Sequence, residues 1–301
     1  MRGLILINAY PNGEKFYKQA NRIAEELQKL GVQTDVLKNG ELEIAIQDNG
    51  TVRCDAAKNY DFAVYLDKDK YLGELLEKMG LRLFNRAAAV AVCDDKVSTY
   101  AALVGKNIQL IKTIPAPLCY TPNAKTDEKF LTTVAQKLGF PLVVKSSYGS
   151  FGVGVTLVHG ISELIETSQK LLHQPHCFQQ YVAESAGRDI RVIVIGGKAV
   201  AAMKRIAQKG EFRSNVELGG VGQKISLKQK YLAVAERVAT VLGLDYCGID
   251  LLETRNGPIV CEVNSNAFFE GLEKTTGYNV AAAYAKYIVE TIQNKSKIKM
   301  S

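Results

Sequence analysis

The stretch Gly248-Ile-Asp-Leu-Leu-Glu-Thr-Arg-Asn-Gly-Pro-Ile-Val-Cys-Glu-Val-Asn264 decides how this chain is read. Apolar runs flank a turn centred near Asn256-Gly257, the signature of a β-hairpin. Such a turn sets Asp250 on the outgoing strand opposite the region of Glu262 on the return strand. Glu262 and Asn264 are two residues apart, so their side chains share one face. Two carboxylates and an amide thus converge within strands otherwise built of Ile, Leu and Val. Solvent-facing strand polarity also puts acids on strands. An acidic pair set among valines and closed by Asn points instead to hard oxygen ligands, which suit Mg²⁺.

A second hairpin precedes it: Ile190 to Ile195, a Gly196-Gly197 turn, then Lys198 to Ile206. Helices from about Lys228 to Leu242 and from Asn279 to Ile292 are expected to cover both. Further upstream, Lys145 ends the strand Leu142-Val-Val-Lys145 and leads into Ser146-Ser-Tyr-Gly-Ser150-Phe-Gly-Val-Gly154. Gly149, Gly152 and Gly154 free the backbone to turn N–H groups toward an anion, and the lysine adds a point charge. No Gly-Lys-Ser/Thr opens a following helix, so this is not a Walker A loop. An ordinary flexible turn would look the same in isolation; beside a magnesium hairpin the segment reads as a phosphate lid. A third segment, Gly210-Glu-Phe-Arg-Ser-Asn215, follows Lys204-Arg205. Arg205 and Arg213 could hold a transferring phosphoryl group and a substrate carboxylate, for which the guanidinium fork is matched; exposed loop arginines are the plainer alternative.

The first ninety residues alternate short apolar runs with amphipathic stretches. Leu4 to Ile7, Val32 to Leu37, Phe62 to Leu66 and Leu81 to Phe84 read as strands, with helices ending at Gly31 and spanning Leu72 to Met79. That order implies a parallel sheet covered on both faces. Helices are expected over Asp94 to Val104, over Glu128 to Leu138, and after Ser162 as N-cap; strands over Val153 to Val158 and Phe178 to Val182.

With 301 residues the chain has room for about two domains at roughly 150 residues each. The 47% hydrophobic and 23% charged composition excludes disorder, collagen repeats and a disulfide miniprotein. The net charge of +7 is modest; it could favour acidic or phosphorylated ligands, and a solvated basic surface is the plainer reading. Six cysteines at 54, 93, 119, 177, 247 and 261 form no CxxC pair and read as small core residues of a reducing compartment. No run reaches a membrane span and Leu4 to Ile7 is too short for a signal core, so a cytoplasmic protein is expected, with no membrane and no nucleic-acid partner. His159, His173 and His176 lie outside every motif and read as surface residues.

These segments together resemble ATP-grasp carboxylate–amine ligases, specifically the RimK type of α-L-glutamate ligase. The resemblance is carried by Gly187-Arg-Asp-Ile-Arg-Val, Gly210-Glu-Phe-Arg-Ser-Asn, Gly248-Ile-Asp, Glu262-Val-Asn and Glu270-Gly-Leu-Glu-Lys-Thr-Thr-Gly277, and it covers about residues 85–290. It implies an α/β fold, α+β in the ATP-grasp part. A Rossmann-like parallel-sheet domain over 1–93 would precede a two-lobed ATP-grasp module, with subdomains over 94–181 and 182–301. It implies that Lys96 and Lys145 touch nucleotide phosphates and that Gln180-Tyr181-Val182 reads adenine. Asp189 and Arg213-Ser214-Asn215 would hold the nucleotide, and Asp250, Glu262 and Asn264 the metal. ATP and two Mg²⁺ ions (or Mn²⁺) are the implied cofactors. Glutamate is the first amino acid to expect, a carboxylate-bearing molecule the acceptor, and a homodimer or homotetramer the assembly.

Two departures stand out: the usual hinge glutamate is Gln180, and Ser265-Asn-Ala-Phe-Phe269 replaces the usual Ala-Ser-Pro-Gly-Leu beside the acyl-phosphate site. A small-molecule kinase on the same scaffold is the competing enzyme reading. A nucleotide-gated or nucleic-acid-binding module is the competing non-enzyme reading.

Overall fold

The computed structural model describes residues 1–10, 13–149, 152–214 and 219–300, with side chains to Asn294. The N-terminal strands β1 (Arg2–Ile7), β2 (Gln33–Lys38), β5 (Phe62–Leu66) and β6 (Arg82–Phe84) form one parallel sheet in the order β2-β1-β5-β6. A two-stranded ribbon, β3 (Ala45–Ile46) and β4 (Val52–Arg53), is inserted between them. Side chains alternate along β1, so Ile5 and Ile7 face one core cluster while Leu4 and Leu6 face another. Helix α1 (Lys15–Lys29) buries Ala20, Ile23 and Leu27 on the first face; α2 (Lys70–Lys78) and α3 (Ala87–Asp94) cover the second. Burying Ile23 and Leu27 fully contributes about 1.5–3 kcal/mol each.

Next come α4 (Lys96–Leu103), β7 (Thr113–Pro115), α5 (Glu128–Leu138), β8 (Leu142–Ser146), β9 (Val155–Val158), α6 (Ile161–Leu171) and β10 (His176–Gln180). Their strands make an antiparallel sheet of order β7-β10-β8-β9, covered by α5 and α6 over Leu131, Val134, Leu164 and Phe178.

The third sheet joins β11 (Arg188–Ile195), β12 (Lys198–Ile206), β13 (Val221–Lys224), β14 (Tyr246–Thr254) and β15 (Gly257–Asn264) in the order β13-β12-β11-β14-β15, all antiparallel. Helix α7 (Gln229–Leu242) covers one face. Helix α9 (Val280–Met300) packs Tyr284 and Ile288 into the same core as Ile5, Ile23 and Tyr246, so the first and third sheets share one apolar interior. A short α8 (Glu270–Thr276) closes one edge.

Four details differ from expectation. Helix α6 is capped by Gly160 rather than Ser162. His176 is buried on β10, 4% exposed, with its Nδ1 at 2.8 Å from the Gln174 carbonyl; burial pushes its pKa down. Helix α3 is an additional helix before α4, made of Ala and Val with little amphipathic contrast. Of the two phenylalanines after the hairpin, Phe269 is core, packed edge-on to Tyr246. No helix among the described residues is long and apolar enough to cross a membrane.

Candidate active site

The hairpin turns at Arg255-Asn256, between the paired Thr254 and Gly257, and that register carried straight on would set Asp250 against Cys261. Asp250 pairs with Glu262, and Gly248 with Asn264. Beyond Asp250 the register shifts, since Leu251 pairs with Val260, and Cys261 is the extra residue of a β-bulge. Strict alternation would hide Cys261 behind the sheet. The bulge instead brings Cys261 and Glu262 to line the same cleft.

Asp250 is 2% exposed. Its Oδ1 accepts from Arg191 Nε at 2.6 Å, and its Oδ2 from Arg191 Nη2 at 2.6 Å and Arg205 Nη2 at 2.8 Å. Arg205 is itself gripped by Asp189, through Nε at 2.7 Å and Nη2 at 2.5 Å. Burial works against the Asp250 carboxylate, yet Arg191 and Arg205 outweigh it and hold its pKa below the usual value. Two arginines and two aspartates thus form a buried, net-neutral quartet. Isolated buried charges would cost several kcal/mol each, so the four stand or fall together. Arg205 belongs to strand β12 and is 3% exposed; it is not a loop arginine.

The other two candidate ligands are less occupied. Glu262 has a side chain 28% exposed, with Lys96 Nζ at 3.5 Å from Oε1. Asn264 makes no side-chain hydrogen bond among the described residues, and its Nδ2 is buried without a partner. No cluster of three His, Cys, Asp or Glu side chains is found among the described residues. The set is two carboxylates and one amide. Its hard oxygens fit a divalent cation of the Mg²⁺ type, Glu262 and Asn264 with open lone pairs, Asp250 while shared with its arginines.

Lysines approach from two other elements. Lys145 on β8 is 9% exposed and lies 3.8 Å from Cys261 Sγ. Burial disfavours its charge, but Cys261 and Glu262 over-compensate and keep its pKa above the ordinary value. Lys96 begins α4, which Asp95 caps by accepting from the N–H groups of Val97 and Ser98. A cation at the positive end of a helix is the wrong sign for stability, so this spot favours an anion twice over. Lys96 also binds the glycine-rich segment, its N–H donating to the Ser147 carbonyl at 3.0 Å and its Nζ to that of Gly149 at 3.1 Å.

Within that segment Gly149, Gly152 and Gly154 have φ of 131°, 75° and 71°, conformations that other residues adopt at a cost. Arg213 fastens the segment from the far side, donating from Nη1 to the Gly152 carbonyl at 2.9 Å. Its Nε and Nη2 clasp Glu211 at 3.0 and 2.8 Å, and the Arg213 side chain holds the Glu211 pKa down at about 2. Ser214 is buried beside it. Ser150 and Asn215 lie outside the described residues.

Three cavities meet here. The narrowest, about 110 Å³, is lined by Lys96, Lys145, Gly149, Gly152, Gln180, Tyr181, Val182, Asp189, Arg205, Arg213, Ser214, Asp250 and Glu262. A cavity of about 310 Å³ lies where β1 and β5 end, among Asn8, Asp67, Lys96, Arg191, Arg205, Glu262, Asn264 and Phe268. A third, of about 510 Å³, opens between α1 and α8, with Lys15, Lys18, Arg22, Arg191 and Arg205 on its walls. Among the described residues Arg205 alone lines all three. Arg191, Asn8 and Asp67 carried no role in the sequence. Arg191 sits inside the quoted Gly187-Arg-Asp-Ile-Arg-Val, and its spacing of two from Asp189 was the one available signal. Asp67 is 5% exposed and accepts from Asn8 Nδ2 at 3.1 Å and the Lys68 N–H at 2.7 Å, and burial raises its pKa.

A family model described as the RimK-like ATP-grasp domain matches residues 93–288. Beta-citrylglutamate synthase B of Danio rerio is 35% identical over 79% of this chain and 58% of its own length. The chain therefore spans less than two thirds of that relative. A probable alpha-L-glutamate ligase of Vibrio atlanticus is 36% identical over 70% of this chain and 68% of its own length. Among solved structures, the D-alanine–D-alanine ligase of Bacillus anthracis complexed with ATP superimposes with a TM-score of 0.75, covering 99% of both chains at 20% identity. That likeness shows the ATP-grasp fold.

Proposed function

The chain belongs to the RimK-like ATP-grasp domain family, and on that premise we propose that it is an ATP-dependent ligase joining a carboxylate to an amine, with glutamate as the amino acid added. One observation carries the reading. Three separate cavities converge on a single guanidinium, Arg205, and a ligase of this kind has three reactants to bring together. The relatives named as glutamate ligase and citrylglutamate synthase support the chemistry and the choice of glutamate.

In this reading the 110 Å³ cleft receives ATP. Gln180, Tyr181 and Val182 would meet the base, and Lys145, Lys96 and the backbone at Gly149, Gly152 and Gly154 the phosphates. Asp189, Arg213 and Ser214 complete the pocket, with Ser150 and Asn215 as the family resemblance implies. Glu262, Asn264 and Asp250 would hold Mg²⁺, which when bound neutralises phosphate oxygens and draws charge from the transferring group. ATP phosphorylates the carboxylate to an acyl phosphate, and the amine then attacks the acyl carbon, releasing phosphate and forming the amide. The protein's part is positioning and charge. Arg205 stays protonated throughout, so it stabilises negative charge where nucleotide and acid meet and does not move a proton.

The test is direct. Purified protein, Mg-ATP, glutamate and a set of mono- and dicarboxylates are incubated, and phosphate release and product mass are measured. Phosphate release that requires both acid and amine, with an amide mass, supports the proposal. A phosphorylated product that forms equally well without amine would replace the ligase with a kinase.

A further inference from the structure

Resting on the ligase reading, we propose that the cavity of about 510 Å³ between α1 and α8 is the site of a dicarboxylic amino acid, and that Arg191 grips its carboxylate. Arg191 projects from β11 beside Asp250, its partner in register. Its Nε and Nη2 are committed to Asp250, whereas Nη1 makes no hydrogen bond among the described residues. The side chain is 11% exposed, and it lines the 310 and 510 Å³ cavities but not the narrow cleft. A guanidinium locked on one edge and open on the other is preorganised to take a carboxylate, without the entropy of ordering a free side chain.

Gly248 supports this placement. It lies on the face that carries Asp250, and its φ is not in the left-handed region, so nothing in its backbone requires glycine. Space does. A Cβ there would come within 2.5 Å of Ala267 Cβ and 3.4 Å of Arg191 Cδ. The missing side chain is what lets Arg191 cross the sheet.

The wall opposite carries both signs, with Glu25, Glu270 and Glu273 lining the cavity beside three cations of α1. Lys15, Lys18 and Arg22 recur at spacings of three and four, so they stand on one side of α1, and all three line the cavity. Arg22 is paired with Glu25, Glu26 and Glu273, and Lys18 with Glu14 at the exposed rim. A ligand with two carboxylates can bridge Arg191 at the inner end and the α1 lysines at the mouth. A neutral amide side chain gains nothing at the second point.

Calorimetric titration of the full chain with L-glutamate and with L-glutamine tests this. Wild type is expected to bind glutamate at least tenfold more tightly than glutamine. Arg191→Lys keeps the charge near Asp250 but loses the fork, and should weaken glutamate at least tenfold. Lys18→Glu, on the exposed rim where folding is not at stake, should weaken glutamate about fivefold and leave ATP unchanged. Equal affinity for the two amino acids, no measurable glutamate binding, or unchanged glutamate affinity in both variants would overturn the assignment. If Arg191→Lys does not fold, Lys18→Glu decides. Failure here with wild-type amide formation intact would remove this site and leave the ligase reading; absence of amide formation with any acid and amine would remove the latter.

Discussion

Asp189 and Arg205 face each other across neighbouring strands and share two hydrogen bonds, 2.7 and 2.5 Å long, while the same guanidinium reaches Asp250 at 2.8 Å. One arginine therefore satisfies two buried carboxylates. Arg205→Met should leave both short of a partner and destabilise the protein by about 3–5 kcal/mol at neutral pH. The pH dependence has a definite sign. Asp250 has a folded pKa below its unfolded value of roughly 3.9, so its contribution is present above about pH 4 and is lost as pH falls through the folded value. The gap in thermal midpoint between wild type and variant should be widest near pH 7 and shrink below pH 4. A gap that stays constant with pH would contradict the charge-pairing account.

The two carboxylates of the hairpin should separate in their effects. Glu262→Gln should lower ADP formation more than a hundredfold, a loss of about 2.7 kcal/mol or more, with a small fall in melting temperature, since among the described residues its one ion pair is the 3.5 Å contact with Lys96 and its charge also supports that of buried Lys145. Asp250→Asn should abolish ADP formation and also lower the melting temperature, because Arg191 and Arg205 lose their shared anion. Activity within tenfold of wild type in either variant would exclude these residues as metal ligands.

Replacing Gly152 and Gly154 by Val should weaken ATP binding at least tenfold. Both have φ above 70°, and a Cβ on Gly154 would sit 3.0 Å from Ser146 Cβ. The strain is of order 1–2 kcal/mol per residue, and it falls on a segment outside the apolar clusters. Calorimetry with ATP and a thermal melt together decide: a large fall in melting temperature with unchanged affinity would make the segment a structural turn.

Asn85 is buried, and its side chain donates to the carbonyls of Tyr246 and Ser265 at 2.8 and 2.7 Å and accepts from the N–H groups of Asp245 and Tyr246. Asn85→Ala strands four backbone groups and should cost about 3 kcal/mol or more in chemical denaturation. A loss under 1 kcal/mol would mean that water replaces the amide.

The hairpin is legible in the sequence because its turn is local, but the turn at Arg255-Asn256 alone would set Asp250 against Cys261, and it is the bulge that moves it to Glu262. Arg191 is not legible, because its meeting with Asp250 depends on β11 lying beside β14, a pairing across some sixty residues that no local period encodes. The bulge at Cys261 escaped for a similar reason, since alternation predicts the opposite face. His176 looked like surface next to Pro175, yet β10 lies inside its sheet between β7 and β8. Phe268 and Phe269 are one strip in the sequence, yet as adjacent residues they diverge: Phe268 lines the 310 Å³ cavity and Phe269 packs on Tyr246.

The three cavities differ in where their walls come from along the chain. Among the described residues the narrow cleft takes none before Lys96, whereas the other two draw on Asn8, Lys15, Lys18, Gln19, Arg22 and Asp67. The two larger cavities share the walls given by the first ninety residues with Arg191, Arg205 and Phe268 from the third sheet and the segment after it. On the proposed ligase reading, a substitution in α1 changes the wall of the cavity assigned to the amino acid and leaves the lining of the cleft assigned to ATP as it is.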